Sequence, residues 1–232
     1  MPRFPNPVFV AIDTPELARA RALAEAVRPY VGGLKLGLEF FSAQGPEGVR
    51  AMVETGLPVF ADLKLHDIPN TVAGAAREIA RLGVAMLNLH ASGGEAMMRA
   101  AADAIAALHP RPLLVAVTVL TSLDEAALES VGQKGPPVAQ AERLAALAKA
   151  SGLDGVVCSA HEIAAVKRAG GADFLAVVPG IRPAGSALAD QRRVMTPKQA
   201  RAAGADILVI GRPITGTADP AAAARAIAEE LA

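Results

Sequence analysis

The segment "FADLKLHDIPNTV", residues 60–72, reads as a buried β-strand, yet Asp62, Lys64, His66 and Asp67 crowd into it. Charged side chains are rarely buried unless they pair with one another or do chemistry. Residues two apart on a strand share a face. Asp62 and Lys64 therefore point the same way as Phe60, whereas Val59, Ala61, Leu63 and Leu65 form an apolar back for covering helices. A strand with an apolar back and an enclosed charged front fits the wall of a barrel, with the charges in the lumen near the strand's C-terminal end.

The flanking sequence repeats this alternation of strand and helix. Seven more apolar runs resemble strands: "VFVAID" (8–13), "GLKLGL" (33–38), "MLNLHA" (86–91), "PLLVAVTVL" (112–120), "GVVCS" (155–159), "FLAVVPGI" (174–181) and "ILVIGRPI" (207–214). The run containing the charges extends from 58 to 65. Such near-continuous runs suit parallel strands covered on both faces. Ala-rich helical patterns separate them. "TPELARARALAEAV" (14–27) opens with Thr14 as N-cap and Pro15 at the first helical position, and "TVAGAAREIARLG" (71–83) ends on Gly83. Eight strands in 232 residues give about 29 residues per unit, the repeat of a (β/α)₈ barrel. An open doubly wound sheet would need a glycine-rich turn after the first strand, and "AIDTPE" has none. With no linker or low-complexity tract, residues 1–232 are predicted to form a single (β/α)₈ domain.

Composition excludes several partners. The 23 basic and 23 acidic residues cancel, leaving no overall field to attract nucleic acid or an anionic membrane. The longest apolar run falls far short of the roughly 20 residues that span a bilayer. The proline-rich start resembles neither a signal peptide nor an anchor, so a cytoplasmic protein is expected. Cys158, the single cysteine, lies in an apolar run and is expected to be a small buried residue. No histidine spacing suggests a metal site. His66 is assigned no catalytic role, and His90 is only a weak candidate.

Three neighbouring strands bring ionisable groups to one mouth: Asp13 ends the first, Lys35 lies in the second, and Asp62 and Lys64 lie in the third. A compensated ion-pair cluster would be the purely structural reading. Such clusters often stabilise no more than apolar packing does, however, and apolar layers are the usual barrel filling. After the seventh and eighth strands come "PGIRP" and "IGRPIT". Loops at these two places commonly hold phosphate. Gly180 and Gly211 allow close approach of the backbone to an anion, and Arg182 and Arg212 add charge. Residues 121–140 and 182–193 are candidate lids or ordinary surface loops. Asp67, taken alone, is a loop residue, and Asn70 is a candidate cap for the helix that follows.

Taken together, these segments resemble the orotidine 5′-phosphate decarboxylases over the whole chain. "DLKLHDIPNT" (62–71) is similar to their Asp-x-Lys-x-x-Asp-Ile signature, and "AID", "LKLG", "VTVLTS", "PGIRP", "DQRRV" and "IGRPIT" follow in the family's order. The resemblance implies conversion of orotidine 5′-monophosphate to UMP and CO₂, with no metal or organic cofactor, in a homodimer with shared sites. By position it implies that Lys64 protonates C6 and that Asp62 lies beside the substrate carboxylate. Lys35 and Asp13 would hold the ribose, and Asp67, Ile68 and Thr71 would reach the partner's site. Thr121 and Ser122 would sit near the pyrimidine. Pro179 joins the substrate-binding set, and Arg182, Gln191, Gly211 and Arg212 would grip phosphate, with Gln191 on a lid. Two alternatives remain. One is a Mg²⁺-dependent barrel like the 3-keto-gulonate 6-phosphate decarboxylases, which carry an acidic residue where this chain has Lys35. The other is a non-catalytic barrel that only binds a phosphate ligand.

Overall fold

The apolar runs form eight parallel strands in a computed structural model that describes residues 4–183 and 195–232. The first half of the chain alternates β1 (Val8–Ile12), α1 (Leu17–Val27), β2 (Gly33–Leu36), α2 (Leu38–Val53), β3 (Val59–Leu65), α3 (Pro69–Ala80), β4 (Met86–His90) and α4 (Glu95–Ile105). The second half contains β5 (Leu113–Val117), α5 (Glu125–Ser130), α6 (Pro137–Ala150), β6 (Gly155–Val157) and α7 (Ile163–Gly170). It continues through β7 (Leu175–Val178), α8 (Pro197–Ala202), β8 (Ile207–Ile210), α9 (Arg212–Thr215) and α10 (Pro220–Leu231). Parallel neighbours need a return crossover, which the helices supply. The strands pair in sequence order, and Phe9 closes the barrel by pairing with both Gly33 and Val209.

Each strand divides its side chains between two cores. Val10, Ile12, Leu34, Val59 and Ala61 face outward into a layer shared with helix residues such as Ala20, Phe40, Val72 and Ala76. Phe9, Phe60, Met86, Leu113, Val177 and Ile207 fill the lumen. Gly33 makes room for one of them, since a Cβ there would lie 2.5 Å from the Phe9 ring. Phe4, ahead of β1, packs edge-on against Phe9 with ring centroids 5.0 Å apart. The lower lumen is thus filled by apolar side chains, and Lys35 stands level with Phe60 in the strand register.

At the N-terminal end of the barrel, two aspartates pin the strand register in the same manner. The Asp154 backbone N–H donates to the Leu114 carbonyl (2.9 Å), and its carboxylate accepts the Leu114 N–H (2.7 Å) and two Arg111 bonds (2.6 and 2.9 Å). Asp206 repeats this with Ala176, and Lys167 donates to its carboxylate at 2.7 Å.

Several boundaries differ from those read in the sequence. Most strands stop earlier at their C-terminal ends, and the run at 207–214 ends at Ile210 and turns into the short helix α9. α1 starts at Leu17 instead of Thr14; the Thr14 hydroxyl instead accepts the Glu16 N–H at 3.4 Å, folding the loop ahead of the helix. Asn70 does not cap α3, because Pro69 already occupies the first turn and Ile68 takes the cap position without a side-chain bond. Gly83 is left-handed (φ 84°), as its place beyond α3 requires. Within 121–140 the chain forms α5, capped by Asp124, and Pro137 begins α6. Most of the second candidate lid lies outside the described residues.

Candidate active site

The four ionisable residues of the first three strands form one row of alternating sign. Lys35 Nζ lies 3.0 Å from Asp13 Oδ1 and 3.5 Å from Asp62 Oδ2, and Lys64 Nζ lies 2.6 Å from Asp62 Oδ1. The row runs from the interior to the rim: the side chains of Lys35 and Asp62 are 11% and 13% exposed, that of Asp13 52%. Burial alone would raise the Asp62 pKa. The charges of Lys35 and Lys64, with hydrogen bonds from Lys64 and Asn88, outweigh it and hold the carboxyl below its ordinary value. Asp62 therefore stays ionised between two ammonium groups.

Asp62 and Lys64 share a face, as the alternation predicts, although β3 is not regular there. Ala61 pairs with Leu87 and Leu65 with Leu89, so four steps of β3 span two of β4. Within this bulge Lys64 adopts φ 54°, the only non-glycine residue among those described with positive φ. Such a conformation costs on the order of 1–2 kcal/mol for a residue with a Cβ. Asn88 of β4, fully buried, fills the gap. Its Oδ1 accepts the Lys64 N–H at 2.8 Å, and its Nδ2 donates to Asp62 Oδ1 at 2.7 Å. Sequence reasoning missed Asn88, although a lone amide inside the run "MLNLH" was a visible signal.

The charged row forms one wall of a cavity of about 320 Å³, within the range of small-ligand pockets. Val117, Val119, Val157, Cys158 and Pro179 supply apolar wall, and Thr121 lies at the β5 end. Cys158 is buried, and burial pushes its thiol pKa up, as befits a packing residue. At the β7 and β8 ends the lining is Gly180, Arg182, Gly211 and Arg212. Gly180 has φ 75°, a conformation that favours glycine. A Cβ on Gly211 would approach that of Ala11 to 3.3 Å, so glycine also keeps this corner open. Arg182 is buried and Arg212 exposed. Burial, then the charge of Arg212, lowers the Arg182 pKa. Two cations forced together in this way favour a bound anion.

Not every expected residue is gathered here. Ser122 is exposed and lies outside the cavity lining. Asp67, Ile68 and Thr71 project from the start of α3 and are exposed, with Ile68 at 67%. None of the three lines this chain's own cavity. Gln191 lies outside the described residues. The His66 and His90 rings are 5.5 Å apart beside the cavity without lining it. Burial, then the charges of His66 and Lys64, lowers the His90 pKa.

The family model "Orotidine 5′-phosphate decarboxylase / HUMPS family" matches residues 6–227. This chain belongs to that family. An orotidine 5′-phosphate decarboxylase of Paramagnetospirillum magneticum is 57% identical over 97% of this chain and 98% of its own length. One from Moorella thermoacetica is also 57% identical, over 97% of this chain and 91% of its own. Among solved structures, an orotidine 5′-phosphate decarboxylase of Lactobacillus acidophilus superposes with a TM-score of 0.86 at 38% identity, covering 97% of this chain and 99% of that one. The Lys35 ammonium, held between Asp13 and Asp62, opposes metal binding at this position.

Proposed function

We propose that this chain converts orotidine 5′-monophosphate to UMP and CO₂, the last step of de novo pyrimidine nucleotide synthesis. The observation that carries the reading is the unbroken row Asp13–Lys35–Asp62–Lys64 facing a cavity whose other end holds Arg182 and Arg212. A Mg²⁺-dependent relative would need a carboxylate at the Lys35 position. Here an ammonium already bridges Asp13 and Asp62, occupying the electrostatic place of a cation. A barrel that merely binds a phosphate ligand would have no use for the Lys64–Asp62 pair, with its strained lysine backbone, facing the cavity.

In this reading the phosphate lies against Gly180, Arg182, Gly211 and Arg212. The ribose hydroxyls meet Asp13 and Lys35, and the pyrimidine lies towards Pro179 and Thr121. The C6–carboxylate bond then points at the Asp62–Lys64 pair. When that bond breaks, CO₂ leaves and its bonding electron pair stays on C6. The Lys64 ammonium stabilises the developing charge and then transfers its proton to C6, giving UMP and a neutral amine that solvent reprotonates. Asp62 and Lys35 do not react. They fix Lys64 and keep the site preorganised, and phosphate contacts remote from C6 contribute binding energy that organises it further.

The exposed group Asp67, Ile68 and Thr71 is assigned to the site of a second copy in a two-fold dimer. Their position outside this chain's cavity and the high exposure of Ile68 support that assignment. No described helix is long and apolar enough to cross a membrane, and we assign the protein to the cytoplasm. Incubation with orotidine 5′-monophosphate in D₂O tests the activity. It should yield CO₂ and UMP carrying one deuterium at C6; unconsumed substrate would contradict the reading.

A further inference from the structure

We infer that Asn88 is a positioning residue whose carboxamide replaces the interrupted β3–β4 ladder and so sets where the Lys64 ammonium stands. The inference rests on the proposed decarboxylation. Asn88 does not line the cavity, so it acts only through Asp62 and Lys64.

The polarity of the amide is fixed by its partners. The Lys64 backbone N–H can only donate, so it must face Oδ1. Ionised Asp62 can only accept, so it must face Nδ2. Both bonds are short, at 2.8 and 2.7 Å, and Asn88 is 0% exposed. A buried carboxamide is costly unless its groups are bonded, and a leucine would serve packing alone. What the amide adds is orientation.

Two degrees of freedom are removed. The torsion of a carboxylate about its last bond is soft. With Asn88 and Lys64 both bonded to Oδ1, Oδ2 is turned towards Lys35, so each oxygen faces its own ammonium. The second is the backbone of Lys64. Its left-handed conformation lies where the β3–β4 pairing jumps from Ala61 to Leu65, and the bond to Asn88 holds the N–H that the ladder leaves unmatched. Releasing it would let β3 relax towards a regular strand and swing Nζ away from its place against Asp62.

The test compares Asn88→Ala and Asn88→Asp with the unaltered protein, measuring kcat and KM for orotidine 5′-monophosphate, affinity for UMP and melting temperature. Loss of a charge-assisted bond to Asp62 should lower kcat by about tenfold to a hundredfold. UMP affinity should change less than about threefold, because the phosphate and ribose contacts remain. Asn88→Asp adds a sharper signature. It replaces the donor with a second carboxylate beside Asp62, so one of the two must titrate at raised pKa. The acid limb of the kcat profile should move to higher pH by about one unit or more. A residue that only packs would lower the melting temperature and leave both kcat and the acid limb in place, which would overturn the inference. If Asn88→Ala does not fold, the near-isosteric Asn88→Asp and amide exchange in the unaltered protein decide. Slow exchange of the Lys64 N–H supports the clamp, and exchange at the rate of an open loop overturns it. An unaltered protein that makes no UMP would refute the proposed function instead, whatever the variants do.

Discussion

Arg212→Ala separates phosphate binding from chemistry. Arg212 stands exposed at the rim of the cavity, in the first turn after β8, so its removal should not disturb the barrel core. A charge-assisted hydrogen bond to phosphate is worth about 1.5–3 kcal/mol. At about 1.36 kcal/mol per tenfold, kcat/KM for orotidine 5′-monophosphate should fall by roughly 10- to 150-fold. Two features favour the lower end. Solvent screens an exposed guanidinium, and buried Arg182 remains to bind the anion, relieved of the repulsion that adds to burial in lowering its pKa. The assay is the ultraviolet change on decarboxylation, run alongside phosphate-free orotidine, whose slow reaction makes no use of Arg212. Its rate should change by less than about twofold. Equal losses for the two substrates would show that Arg212 acts on the reacting end or on folding, and would refute this placement of the phosphate.

Three further outcomes follow from the same geometry. Asp154→Ala removes both Arg111 bonds and leaves the Leu114 N–H unmatched at the end of the barrel remote from the site, so it should cost about 2–4 kcal/mol and about 5–15 °C of melting temperature. Activity per folded molecule should be unchanged, as calorimetry paired with the ultraviolet assay would show. The Asp62 pKa is lowered in the folded chain, so its ion pairs stabilise fully above the ordinary value of 3.8, and that stability is lost as pH falls through the lower folded value. Acid unfolding of the unaltered protein should accordingly steepen below pH 3.8, and Asp62→Asn should be less stable at neutral pH with a flatter acid limb. Finally, mixing Lys64→Ala and Asp67→Ala subunits, each nearly inactive alone, should restore activity at roughly a quarter of all sites, because half of the pairs are mixed and one site of each regains both residues. Native mass spectrometry showing mixed pairs without recovered activity would place Asp67 in its own chain's site.

The barrel was legible because strands buried on both faces read as apolar runs, and eight such runs alternate with helices. Strand ends were harder to read. Beyond Leu36 and Val117 the sequence stays largely apolar (Gly37 and Leu38; Val119 and Leu120), yet the chain leaves the sheet there, and Val119 and Leu120 line the cavity. The charged row was legible for a different reason: Asp13, Lys35, Asp62 and Lys64 are each anomalous in an apolar strand, and consecutive strands of a barrel are neighbours. Asn88 escaped notice because its role exists only once β3 bulges, and nothing in "FADLKL" announces a left-handed lysine. Nor does local sequence distinguish the buried Arg182 from the exposed Arg212, since both stand shortly after a glycine and just before a proline. Asp67, Ile68 and Thr71 looked like site residues only through the family resemblance, and in the folded chain they are exposed and do not line its own cavity.

Decarboxylation of orotidine 5′-monophosphate in the presence of EDTA tests the central claim most directly, followed in parallel for the unaltered protein and Lys64→Ala. If the lysines and carboxylates supply all the charge that the reaction needs, the unaltered protein should release UMP at the same rate with EDTA as with Mg²⁺. Lys64→Ala should lose at least about a thousandfold, since it removes both the stabilising ammonium and the proton donor. Activity that disappears with EDTA and returns with Mg²⁺, or that survives the loss of Lys64, would contradict the account.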